Sequence, residues 1–186
     1  MILATNNLGK LREIREILKE YEISSLSDKG IEVDVIEDQD TFIGNAKKKA
    51  FEIYNLTREE VIADDSGLCI DALDGFPGVM THRFLGENAT AEERNQYLIN
   101  EVNKHENSDA SIICSLVYYN GVDYVIGTGE MRGVISHEMK GTNGFGFDSI
   151  FELPNGLTLA ELSHEEKNKI SARAMAAKDL QKKLTR

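Results

Sequence analysis

A short apolar run, Val61-Ile62-Ala63, ends in two adjacent carboxylates, Asp64 and Asp65, and a Ser66-Gly67 pair follows at once. An apolar run bounded in this way reads as a buried β-strand. Its end is therefore a place where ionised acids stand against the core, and such acids are costly unless positive charge lies beside them. Adjacent side chains on a strand point to opposite faces. A turn at Ser66-Gly67 would end the strand and let both acids reach one ion. The spacing thus predicts one strand over 61–63 and another over 68–70. A hard divalent cation such as Mg2+, which takes oxygen ligands, meets the charge requirement. One Asp at a strand end is an ordinary turn residue; two after a buried run fit that plainer reading less well. Either acid can hold the metal while the other orients the site or activates water, and Glu37 is a candidate partner.

A second signal lies near the start of the chain, at Ala4-Thr5-Asn6-Asn7-Leu8-Gly9-Lys10. Leu8, Leu11, Ile14 and Leu18 follow helical spacing, with Asn6 or Asn7 as cap. A helix N-terminus offers unpaired N–H groups and about half a positive charge. Lys10 adds a full charge, and the amides of this turn can donate. This is a phosphate cradle, although the GxxxxGK[ST] pattern of a P-loop is absent. The plainer reading is a capped helix with a surface lysine. A metal corner and a phosphate cradle in one small chain suggest chemistry on a nucleotide.

Three weaker constellations accompany these. Lys47-Lys48-Lys49 lies on a predicted helix opened by Thr41 and running to about Asn55. Successive helical positions differ by about 100°, and Lys49, beside the apolar stripe, is the one placed to turn inward. Gly144-Phe145-Gly146-Phe147-Asp148 combines close backbone approach with rings that can stack on a base; its plainer reading is a tight loop plugging the core. On the last helix, Lys167 and Ser171 share a face and Arg173 follows two residues later.

The remaining pattern is mixed. Strands are expected at Met1–Ala4, over Ile31, Val33 and Val35, at Ser111–Tyr119, Val122–Ile126 and Glu130–Ser136, with Asn120-Gly121 as a hairpin turn. Helices are expected from Ala91 to about Lys104, with Thr90 as cap, and from Ser163 to Leu184, with a Ser163/Glu166 capping box. The last is one continuous helix with Ile170, Ala174, Ala177, Leu180 and Leu184 buried. The fold class is α/β with a mixed sheet. At 186 residues and 41% apolar content, the chain reads as one globular domain, 1–186. The formal charge of −11 provides no basic footprint for nucleic acid, yet a local basic pocket can still take a triphosphate. Cys69 and Cys114 form no CxxC pair, and the four histidines lack zinc spacing. No apolar run approaches ~20 residues, so neither a membrane span nor a membrane partner is expected, and a cytoplasmic location is.

With these residues in hand, the chain resembles the inosine triphosphate pyrophosphatase, or Ham1, family. Segments 4–10, 41–50, 62–68, 75–84, 141–151 and 162–173 carry the resemblance, in family order and over nearly the whole chain. It implies a two-lobed fold around a long mixed sheet, with the site in the cleft between lobes. It also implies hydrolysis of ITP, dITP and XTP to the monophosphate and pyrophosphate, with Mg2+, in a homodimer. Thr5, Asn6, Asn7 and Lys10 fall on the triphosphate-binding motif and Lys49 on the family's inward lysine, grouped with Asp65 as catalytic. Glu37 and Asp65 match the metal-binding acids, with Ser66 beside them. Phe145, Gly146, Phe147 and Asp148 match the base-binding loop, and Lys167 and Arg173 the base-reading end. Two positions depart from the family pattern: Ala172 replaces the His of Ser-His-Arg, and Ser149 replaces the Pro of Asp-Pro. The rivals are a Maf-type pyrophosphatase of modified pyrimidine nucleotides and a nucleotide-binding regulator without turnover.

Overall fold

The structure is a computed structural model that describes residues 1–86 and 88–185. Among the described residues six strands form one sheet in the order β2-β1-β3-β4-β5-β6. They are β1 (Ile2–Leu3), β2 (Ser24–Ser25), β3 (Val61–Ile70), β4 (Asp109–Tyr119), β5 (Tyr124–Ile135) and β6 (Phe151–Glu152). β1 pairs in parallel with β2 and β3, whereas β5 and β6 are antiparallel, so the sheet is mixed. The helices are α1 (Leu8–Ile17), α2 (Phe42–Thr57), α3 (Ala91–Val102), α4 (His164–Ile170) and α5 (Ala172–Leu184). Among the described residues no helix is long and apolar enough to cross a membrane.

The chain divides into two compact units. The first comprises residues 1–66, 114–130 and 171–186, and the second residues 67–113 and 131–170. The first is built on Ile2, Ala4, Val61, Ala63 and Val117 from the strands and Ala46, Ala50 and Ile53 from α2. Gly129 lets α5 come close: a Cβ there would lie 2.1 Å from the Ala172 carbonyl oxygen. In the second, Leu98, Ile99 and Val102 of α3 are buried, as are Ile150, Phe151, Leu159 and Ala160.

Four expectations change. The expected strand over Ile31, Val33 and Val35 does not form, and Ser24–Ser25 takes the ladder position beside β1. Val35 is buried and Ile31 and Val33 pack on the same core, so the alternation marked burial rather than pairing. Strands 61–63 and 68–70 are one continuous β3, with no turn at Ser66-Gly67. β5 is likewise unbroken from Tyr124. The last helix, by contrast, is two. Ser171 adopts extended backbone, φ −63° and ψ 152°, and its hydroxyl accepts from the Ala174 N–H, which starts α5 afresh. Ile170 is consequently exposed rather than part of a buried stripe.

Candidate active site

Because β3 runs straight through Asp64 and Asp65, the two carboxylates leave it on opposite sides. Lys10, Arg173 and Cys114 meet Asp64, Asn45 and Lys49 lie by Asp65, and Ser66 reaches both, through Oγ and N–H.

Asp64 lies in a nearly closed charge array. Asn7 caps α1, its Oδ1 accepting from the Gly9 and Lys10 N–H groups at 2.9 and 3.2 Å. The cap fixes the first turn of α1, and the Lys10 ammonium then pairs with Asp64 Oδ1. From α5, Arg173 donates through Nε to Asp64 Oδ2 at 2.9 Å, through Nη2 to Ser66 Oγ at 3.0 Å, and through Nη1 to Glu13 of α1. The Cys114 thiol, on β4, also donates to Asp64 Oδ2 at 3.3 Å. All six side chains are buried. Burial alone would raise the Asp64 carboxyl, but Arg173 and Lys10 outweigh it and hold it well below the usual carboxylate range. Burial and the neighbouring Asp64 push the Cys114 thiol up, so it stays a neutral donor.

Asp65 is compensated less well. Oδ2 accepts from Asn45 Nδ2 at 2.9 Å and Oδ1 from the Ser66 N–H at 3.1 Å. Lys49 turns inward from α2, but its ammonium lies 2.6 Å from Glu37 Oε1 and 4.0 Å from Asp65 Oδ1. It also donates to the Asp64 carbonyl. Lys48 instead pairs with Asp38. Burial therefore pushes Asp65 up to about 6, with Glu37 adding and Lys49 opposing. The Lys49 ammonium is thus shared between Glu37 and Asp65. Among the described residues no three His, Cys, Asp or Glu side chains cluster as a closed metal cage. A pair of carboxylates is nevertheless what Mg2+ takes when it keeps waters and binds substrate phosphates, so the residues fit that ion.

Thr5 and Asn6 complete the turn before α1. Thr5 Oγ1 accepts from the Asn7 N–H at 3.1 Å. Asn6 lines a groove of about 460 Å³ together with Ser27, Gly30 and the segment 31–34.

In the second unit, the loop 144–148 folds around Asp148. Its Oδ2 accepts from the Phe145 N–H at 2.7 Å and from Lys167 Nζ at 2.6 Å. Gly144 has φ +78°, and a Cβ there would fall 2.1 Å from that oxygen. The Lys167 ammonium stands 4.5 Å from the Phe145 ring centroid, a cation–π contact. The Phe147 carbonyl accepts from the N–H groups of Ile150 and Phe151, which closes the loop. Lys167 and Arg173, read as neighbours on one helix, thus belong to different compact units.

Three polar residues escaped sequence reasoning: Glu13, which carries Arg173; Asn45, which carries Asp65; and Asn95 of α3, which donates to the loop at Gly146 O. Their common signal is a polar side chain on the inner stripe of a helix, as Asn45 is beside Ala46 and Asn95 before Leu98.

This fold and these charged residues are those of a known enzyme family: residues 1–183 match the model of the Ham1 family, and the chain belongs to it. A dITP/XTP pyrophosphatase of Clostridium tetani is 40% identical over 99% of this chain and 95% of its own length. One of Geobacter sulfurreducens is 42% identical over 95% and 92%. Among solved structures, a HAM1 protein from Coxiella burnetii superposes with a TM-score of 0.89 at 37% identity, covering 99% of this chain and 97% of that one.

Proposed function

We propose that this chain hydrolyses dITP, XTP and ITP to the nucleoside monophosphate and pyrophosphate. The observation that carries the reading is the pair of adjacent acids on β3, one paired with Lys10 and Arg173 and the other held by Asn45 near Lys49 and Glu37, in a Ham1 chain whose near-full-length relatives are dITP/XTP pyrophosphatases. Family membership sets aside the Maf-type alternative, and the intact Asp65 and Lys49 weigh against a regulator without turnover.

Water adds at the α-phosphorus, the bond to the pyrophosphate oxygen breaks, and a proton is left over. Asp65 accepts it, as a positioned carboxylate serving as general base. Asn45 and the Ser66 N–H fix its orientation. Lys49 and Lys10 offset charge on the departing pyrophosphate, with the α1 N-terminus, Thr5, Asn6 and Asn7 donating to phosphate oxygens. Ser66 lies against the same substrate. Glu37 and Asp65 would hold Mg2+, which when bound neutralises phosphate charge. Phe145 stacks on the base, while Gly146, Phe147, Asp148 and Lys167 shape and read its edge. Arg173 works chiefly through Asp64, since a base contact would cost it one of three partners. A cytoplasmic homodimer completes the reading on the strength of family resemblance.

The test is pyrophosphate release with Mg2+ across ITP, dITP, XTP, GTP and ATP. Turnover confined largely to the first three is the expected result, and tight binding without turnover would return the regulator reading. Sedimentation of the same preparation tests the dimer.

A further inference from the structure

We propose that Asn95 is a positioning residue for the loop 144–148, and that through this loop it sets how strongly the enzyme prefers a triphosphate with a base to one without. The inference rests on the reading that this loop binds the base.

Asn95 occupies the inner stripe of α3, where the other members are Leu98, Ile99 and Val102, and it is 2% exposed. Its two amide hydrogens go to the Gly146 carbonyl at 2.9 Å and to Ser149 Oγ at 3.1 Å, one on each side of Asp148. The orientation is set by the first of these. Flipping the amide would press Oδ1 against another carbonyl oxygen. In the orientation adopted, Oδ1 is buried and has no hydrogen-bond partner. An apolar side chain of this size would spare the fold that unbonded acceptor. What Asn95 supplies, and such a side chain could not, is a pair of donors to the loop.

The loop needs them. Gly144 and Gly146 both have positive φ, +78° and +62°, and glycine backbone is the least restricted of any residue. Phe145 lies between them. Its N–H is held by the Asp148 carboxylate and its carbonyl accepts from the Asp148 N–H at 3.2 Å, while the following carbonyl, that of Gly146, is held by Asn95. With all three bonds made, the turn around Phe145 is both closed on itself and anchored to α3, and the ring keeps its place beside the Lys167 ammonium. Without the Asn95 bond, the turn around Phe145 keeps its bonds to Asp148, but the Gly146 carbonyl loses its tether to α3 and the loop is less firmly placed. A stacking surface that must be ordered at the moment of binding gives weaker binding, and the loss falls only on substrates that carry a base.

The experiment compares kcat/KM for ITP and for ribose 5-triphosphate, which keeps the sugar and phosphates and lacks the base. The variants are Asn95→Asp, Asn95→Ala, Ser149→Ala and Phe145→Ala. Asn95→Asp places an oxygen against the Gly146 carbonyl and should lower the ITP value roughly 10- to 100-fold, mainly through KM. The ribose 5-triphosphate value should stay within about threefold. Ser149→Ala, which keeps the main clamp, should move the ratio the same way by about two- to fivefold. A merely structural role predicts instead an equal fall for both substrates, and that result overturns the proposal. So does an unchanged ratio in Ser149→Ala if the Asn95 variants do not fold. Phe145→Ala separates the two layers. If it leaves the ratio unchanged, the base-loop reading fails. If it lowers the ratio while the Asn95 and Ser149 variants do not, only the role of Asn95 falls.

Discussion

Asp64 and Asp65 are neighbours on one strand, both buried, and their carboxyl groups are displaced in opposite directions. Burial penalises the charged form of each. The difference lies in supply. Two cations from α1 and α5 converge on Asp64, with Glu13 balancing the arginine, whereas Asp65 lies 4.0 Å from the Lys49 ammonium, which sits closer to Glu37. A saturated anion is a fixed structural charge with little to offer a substrate. An undersupplied one holds its proton more readily and welcomes a cation. Alternation along β3 separates the two roles by one residue.

The comparison breaks most visibly at Asp65. Asp65→Asn keeps the shape and removes the proton acceptor, so turnover should fall about 10²- to 10⁴-fold while circular dichroism and melting show a folded protein. Near-normal turnover would take Asp65 out of the reaction. The reverse pattern belongs to Asp64. Asp64→Asn leaves Lys10 and Arg173 facing each other without their shared anion, and should destabilise the fold by about 3–5 kcal/mol in denaturant unfolding. Arg173→Ala strikes the same array and should lower kcat/KM for ITP, XTP, GTP and ATP alike. A selective loss for ITP would make Arg173 a reader of the base.

pH sharpens the contrast further. The folded Asp65 value, about 6, lies above its unfolded value of 3.8, so the folded state binds the extra proton. Its contribution to stability is present below 3.8 and is lost as pH rises through 6. Asp64 has the opposite sign, contributing above its unfolded value and losing that as pH falls. Without divalent metal, Asp65→Asn should therefore gain on the wild type as pH rises from 4 to 7, by up to about 3 kcal/mol. A constant difference across that range would remove burial of charge as the cause. The smallest effect is expected at Cys114→Ser: a hydroxyl can replace the thiol as donor to Asp64, and stability should change by less than about 1 kcal/mol.

Local signals in the chain carried far in some places and stopped short in others. Asn7, Thr41, Thr90 and Ser163 act as the caps their positions promised, because capping is decided within four residues. The continuity of β3 was hidden, since two acids and a Ser-Gly pair look like a strand end until the cations from α1, α2 and α5 are in place. The break at Ser171 was hidden too. The sequence there carries a good helical stripe on either side, and only the serine's backbone conformation reveals two helices. Motifs placed Lys10, Lys49 and Asp65 in candidate roles, whereas Glu13, Asn45 and Asn95 act through partners far away in the chain, which no local pattern records.

The array around Asp64 also has a schedule. Lys10, Glu13 and Asp64 are synthesised well before Arg173, the residue whose guanidinium joins Glu13 to Asp64, and the first compact unit is completed only by residues 171–186. The second unit, residues 67–113 and 131–170, is fully synthesised before that. A nascent chain can therefore close its second unit while its first still lacks α5. Until α5 is made, Asp64 and Glu13 lack the arginine that joins them in the finished protein, so this array closes only after every residue of the second unit has been synthesised.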